Sequence, residues 1–115
     1  MVHYSNLIKF FFGKYRPIKI KGDSMKPTFI DGQIVWVDYS NRSLEKIKKN
    51  DIILFKNPEG NNLIVKRVAK INPEKGFWMK GDNSYPLEST DSEKFGYVKK
   101  ELLRGVISSK KANLK

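Results

Sequence analysis

The feature that most constrains this chain is the run at 62–71, Asn-Leu-Ile-Val-Lys-Arg-Val-Ala-Lys-Ile. It is long, apolar and rich in β-branched residues, so it reads as a strand. Side chains alternate across a strand. One face therefore carries Ile64, Lys66, Val68 and Lys70, and the other carries Leu63, Val65, Arg67, Ala69 and Ile71. Lys66 stands between two β-branched neighbours on its own face. If that face is the core face, Lys66 is a partly buried amine, and burial disfavours its charged form. The alternative is a lysine that runs out to solvent from a sheet edge.

The rest of the chain has the same pattern. Residues 18–21, 33–39, 51–56, 77–80 and 104–108 read as further short strands. Turn signals separate them: Asp31-Gly32, Pro58-Glu59-Gly60-Asn61 and Asn72-Pro73-Glu74-Lys75-Gly76. The pattern predicts a mainly β fold, a small antiparallel β-meander or partly closed barrel. Helix is confined to single turns at 43–48 and 99–103.

At 115 residues the chain is long enough for one domain with a modest core. It divides into an N-terminal extension at 1–17, the β domain at 18–108 and a basic tail at 109–115. The apolar stretch Leu7-Ile8-Lys9-Phe10-Phe11-Phe12 is too short to span a bilayer, which takes about 20 apolar residues. It reads as an element packed on the domain, with a peripheral membrane foot as the alternative.

Composition removes several chemistries. There are no cysteines, which excludes disulfides, thiolate metal sites and a cysteine nucleophile. That fits a cytoplasmic, reducing location. The single histidine, His3, lies near the terminus, so neither a Ser-His-Asp triad nor a zinc site is expected. The net charge of +11 attracts anions in general. The lysines are spread along the chain without one long basic run, and the expectation is a solvated surface with no nucleic-acid partner.

The second informative segment is Gly22-Asp23-Ser24-Met25-Lys26-Pro27-Thr28. Gly22 allows a backbone conformation closed to other residues, and Pro27 stiffens the turn. A serine held in such a turn can present its hydroxyl and a backbone N–H to a carbonyl, as acyl transfer requires. Taken alone, a Gly-Asp-Ser turn is usually only a turn.

Together the two segments resemble a family. Residues 22–28 are similar to the nucleophile box of the type I signal peptidases, which are serine proteases with a Ser-Lys dyad. Asn50-Asp51-Ile52-Ile53-Leu54-Phe55 resembles their next strand box, and Val65-Lys66-Arg67-Val68 their lysine box. Gly81-Asp82-Asn83, Ser89-Thr90-Asp91-Ser92 and Phe95-Gly96-Tyr97-Val98 resemble the last box. Within the family the likeness is greatest to the short nickel-type superoxide dismutase maturation proteases.

This resemblance implies a signal peptidase-like β fold, Ser24 as nucleophile and Lys66 as general base. It implies that Ser89 orients the Lys66 amine and that Gly81, Asp82, Asn83 and Asp91 brace the loop. Gly22, Asp23 and Met25 would form the oxyanion and substrate-binding turn, with the Ser24 N–H as a donor. The substrate would be a protein bearing a short N-terminal propeptide, lying extended beside a strand edge, with no metal or cofactor required.

The chain departs from the family at three places. Gly22 offers no side-chain oxyanion donor. Glu93 stands where an arginine usually follows Asp-Ser. The stretch at 84–88 is longer than usual. Three other readings are a leader peptidase at a membrane, a self-cleaving peptidase of the repressor type, and a basic β-barrel binding single-stranded nucleic acid through aromatic stacking.

Overall fold

The alternating runs form one six-stranded antiparallel sheet in the computed structural model, which describes residues 15–84 and 91–108. The strands are β1 (Tyr15–Lys19), β2 (Ile34–Asp38), β3 (Ile52–Lys56), β4 (Leu63–Asn72), β5 (Gly76–Lys80) and β6 (Leu103–Ser108). Short helical turns, α1 (Asn41–Glu45), α2 (Ser92–Phe95) and a 3-10 turn at Lys100–Leu102, connect them. The 3-10 turn falls within the predicted turn at 99–103, and α1 begins two residues before the one predicted at 43–48. The α2 turn has no counterpart in the sequence pattern. Its four residues are too few for a helical period, and it exists because the Asp91 carboxylate accepts from Glu93 N at 3.0 Å.

The mainly β expectation holds. Strands β3, β4 and β5 run as a meander, while β6 inserts between β2 and β3 to give the order β1-β2-β6-β3-β4-β5. The N-terminal foot, the tail at 109–115 and Ser89 lie outside the described residues.

Alternation divides the core between the two faces of this sheet. On one face Val35, Val37, Leu54 and Ile107 pack with Ile20, Met25 and Phe29 of the β1–β2 connection. On the other, Ile53, Phe55, Ile64, Val68 and Met79 pack under Val98 and Leu103. The rule of two faces is visible residue by residue: Leu54 pairs with Val65, and the adjacent Ile53 pairs with Lys66. Lys66 therefore belongs to the second face.

The alternation breaks at one point. The β4–β5 register shifts between Val68 and Lys70, so Val68 faces Met79 and Lys70 faces Trp78. A bulge inserts one residue and re-aims the side chains beyond it. Val68 is buried and Lys70 exposed. The expectation that Lys70 shares the face of Ile64, Lys66 and Val68 fails for this reason.

Strands β1 and β5 form the edges of the sheet. Strand pairing does not join them among the described residues. Instead the segment that leaves β1 is tied to the segment that leaves β5: Asn83 N donates to Ser24 O at 2.9 Å, and Thr28 Oγ1 donates to Asp82 Oδ2 at 2.5 Å. The sheet is open as a ladder and stitched at a seam by side chains and loop backbone. The two predicted site segments meet at this seam.

Candidate active site

The serine turn is held from below and from the side. Ile20 and Gln33 close its base, with Ile20 N donating to Gln33 O and Gly32 N to Ile20 O, each at 2.8 Å. Gly22 takes φ +86°, and its N–H donates to Asp31 Oδ1 at 2.7 Å. A left-handed residue there reverses the chain so that the turn can begin. Met25 and Phe29 then anchor the turn in the first core face, at 1% and 7% exposure. Each such burial stabilises by about 1.5–3 kcal/mol. With Met25 directed inward, its neighbour Ser24 is exposed on the other side of the turn. Met25 thus acts on the turn as an anchor through its side chain.

The segment after β5 closes over this turn. Asn83 donates twice, from its N–H to Ser24 O and from Nδ2 to Asp23 O, both at 2.9 Å. Gly81 passes so close that a Cβ on it would lie 2.7 Å from Ser24 O. The same point is 3.5 Å from Ser24 Cβ and 3.5 Å from Lys66 Nζ. The amine and the serine side chain therefore flank one position and are separated by no more than twice that distance.

Lys66 reaches this position from within the sheet. It is 4% exposed, between the buried Ile64 and Val68. Burial pushes its amine below the ordinary lysine range, and the negative charge of Asp91 partly offsets this. Asp91 is itself 7% exposed and caps α2. Ser92 lies beside it, 1% exposed, and its hydroxyl accepts from Met79 N at 2.7 Å. That bond fixes the Asp91 segment against β5. No arginine follows Asp91 and Ser92; Glu93 is exposed, and its backbone N–H serves the cap.

Two residues that sequence reasoning missed complete the seam. Arg67, on the face opposite Lys66, donates to both oxygens of Asp82 at 2.9 and 2.7 Å and to Asn50 O at 2.8 Å. Thr28 donates to the same Asp82. Thus Asp82 joins the strand of Lys66 to the turn of Ser24. Burial alone would raise the Asp82 carboxyl, and the bonds from Arg67 and Thr28 with the Arg67 charge outweigh it, so it lies below the usual carboxylate value. The signal for Arg67 was its alternation with Lys66, but no local pattern names a partner fifteen residues away.

The clamp carries an expected result. Asp82→Asn keeps the shape and removes the charge, costing about 1.5–3 kcal/mol because the bonds it loses are charge-assisted. The wild-type contribution is present above the ordinary carboxylate value of 3.8 and disappears as pH falls through the lower folded value. Thermal melts from neutral to acid pH check both parts: the two proteins converge only in acid.

An exposed hydroxyl in a rigid turn beside a buried amine whose charged form is disfavoured by burial is chemistry suited to acyl transfer. The fold and this seam define a small β protein built to hold a serine turn against a lysine strand. A family model described as Peptidase S24-like matches residues 11–100, and the chain belongs to that family. It is a family of serine-type peptidases, whose substrates are proteins. The narrower likeness to the superoxide dismutase maturation proteases is no part of that match. A search of curated proteins returned no match. No helix among the described residues is long and apolar enough to cross a membrane.

Proposed function

We propose that this protein is a serine endopeptidase in which Ser24 is the nucleophile and Lys66 the general base. The observation that carries the reading is the approach of Lys66 Nζ and Ser24 Cβ to one point at Gly81, 3.5 Å from each. In the proposed cycle the neutral Lys66 amine takes the Ser24 Oγ proton as Oγ attacks the scissile carbonyl. The Ser24 N–H receives the oxyanion charge. The Lys66 ammonium then delivers its proton to the departing amine; Lys66 next deprotonates a water that attacks the acyl carbonyl, and returns that proton to Ser24 Oγ as the acid departs. Ser89 orients the amine in this reading, as the resemblance implies.

The substrate reading comes from the same resemblance. The serine box, the lysine box and the Gly81-Asp82-Asn83 box stand in the order of the superoxide dismutase maturation proteases, which supports removal of a short N-terminal propeptide from a nickel superoxide dismutase precursor. The family match favours a second reading, cleavage of the chain's own N-terminal segment. One experiment separates them. The purified protein is incubated alone, with a synthetic precursor peptide, and with a secretory signal peptide, and products are read by mass spectrometry. Cleavage of the precursor peptide alone supports the propeptide reading. A concentration-independent loss of the chain's own N-terminus supports self-cleavage. Absence of every product at high enzyme concentration ends the peptidase proposal.

The pH profile gives a separate check. Activity requires neutral Lys66, so kcat/KM falls toward acid with a limb set by the amine. Because burial lowers that value, the limb lies below the ordinary lysine value of 10.5. Asp91 opposes the shift. Asp91→Asn removes a negative charge that favours the ammonium, so its limb is expected at lower pH than that of the wild type. A limb that moves upward, or stays in place, contradicts the role given to Asp91.

A further inference from the structure

A second cluster lies at the far end of β4 and β5, away from the seam. Lys70 and Trp78 are partners across these strands, on the face opposite Met79. Tyr97 stands beside Trp78, ring centroids 4.9 Å apart and planes inclined at 71°. The Lys70 ammonium lies 5.0 Å from the Trp78 ring centre and 5.9 Å from that of Tyr97. Lys75, in the β4–β5 turn, lies 5.9 Å from the Tyr97 centre. Both lysines are exposed, and among the described residues neither has a carboxylate within ion-pair distance.

We propose that this face docks on an anionic phospholipid surface. Partly buried Trp and Tyr rings with ammonium groups against them are the chemistry of a bilayer interface. The rings suit the headgroup layer, and the lysines meet lipid phosphates and carboxylates. The net charge of +11 supplies long-range attraction to such a surface. Single-stranded nucleic acid fits less well. Bases stack on open ring faces, and here one lysine lies over Trp78 while the two rings meet edge to face. Glu74, in the same turn, is exposed.

The proposal is independent of the serine reading. It is tested with the full chain and vesicles of phosphatidylcholine, with and without phosphatidylserine, by co-sedimentation across a salt series. Binding to the anionic vesicles only, weakened by salt, is expected. The Lys70→Gln/Lys75→Gln variant should lose about fivefold per lysine, about twenty-five-fold together. The Lys70→Arg/Lys75→Arg variant keeps the charge and should keep the binding, which separates docking from a folding defect. In a Trp36→Phe background the emission of Trp78 should shift to the blue on binding. Four outcomes overturn the proposal: no binding to anionic vesicles, equal binding to neutral ones, binding unchanged in the glutamine variant, or binding lost with Phe10→Ser/Phe11→Ser and not with the lysine changes. Capture of a single-stranded oligonucleotide without vesicle binding also overturns it, and assigns the cluster to nucleic acid.

Discussion

Ser24→Ala and Lys66→Met are each expected to reduce kcat/KM on a cleavable peptide by at least about 10⁴-fold, with the fold intact. The two losses should not add. In the proposed mechanism a nucleophile without its base and a base without its nucleophile fail at the same step, so the double variant should be no worse than either alone. Lys66→Met should differ from Ser24→Ala in stability. Wild-type Lys66 is 4% exposed, and folding must either bury an ammonium or expel its proton. The thioether has no such cost and nearly the same volume. The expected gain is at least about 1 kcal/mol at neutral pH, or about 4–8 °C in Tm for a domain of this size. The folded amine titrates below the unfolded one, so the penalty is complete below the folded value. It fades as pH rises toward the ordinary lysine value of 10.5. The gain in Lys66→Met should fade over the same range. A methionine variant that is less stable at neutral pH, or one that retains wild-type turnover, contradicts the role given to Lys66.

That contrast shows where the sequence is informative. The run at 62–71 carries both the strand and the face of Lys66, because a period of two is a local property. It could not place Lys70, because a bulge depends on the partner strand. Likewise the serine turn could be placed from Gly22, which does take a positive φ, and from the stiffness of Pro27. The contacts that hold that turn could not be read locally. Thr28, Asp82 and Arg67 form one unit, but Thr28 and Asp82 are separated by 54 residues. Hydrogen bonds at such separation leave no trace in composition or periodicity. Resemblance supplied Asp82 and Asn83 as bracing residues; it did not supply Arg67 or Thr28. Ser92 was overlooked for a different reason. A buried serine is polar in sequence and looks solvent-facing until its acceptor role toward Met79 N is known.

The seam also explains why the site sits where it does. Strands β1 and β5 are at opposite edges of the sheet, and the segments leaving them meet through hydrogen bonds of loop backbone and side chains rather than through strand pairing. A site at such a junction inherits the rigidity of both edges. Asp82 holds one side through charge, and Asn83 holds the other through two neutral bonds. Chemistry that requires two groups at a fixed separation gains from this, since a misplacement of 1 Å costs about 10²-fold.

Gly81 tests that dependence most directly. Its backbone does not require glycine on conformational grounds, since its φ is not in the left-handed region. The requirement is one of space. A methyl group would meet Ser24 O at 2.7 Å, an atom of the backbone rather than the end of a flexible side chain. Something must move, and the bonds from Asn83 to Ser24 O and Asp23 O resist movement on the serine side. The displacement is therefore shared between the turn and the segment after β5, which are the two pieces whose spacing sets the approach of Ser24 to Lys66. Gly81→Ala is expected to lower kcat by about 10²-fold, with KM changed far less. Its cost in stability should stay within about 1–3 kcal/mol, as for other overpacked sites. Gly22→Ala is the control. It meets no atom within 4 Å but carries a φ of +86°. It should therefore lose stability through backbone strain rather than through a clash. If Gly81→Ala cleaves at the wild-type rate, the approach at Gly81 does not set the reacting distance, and the dyad would have to be assembled by other contacts.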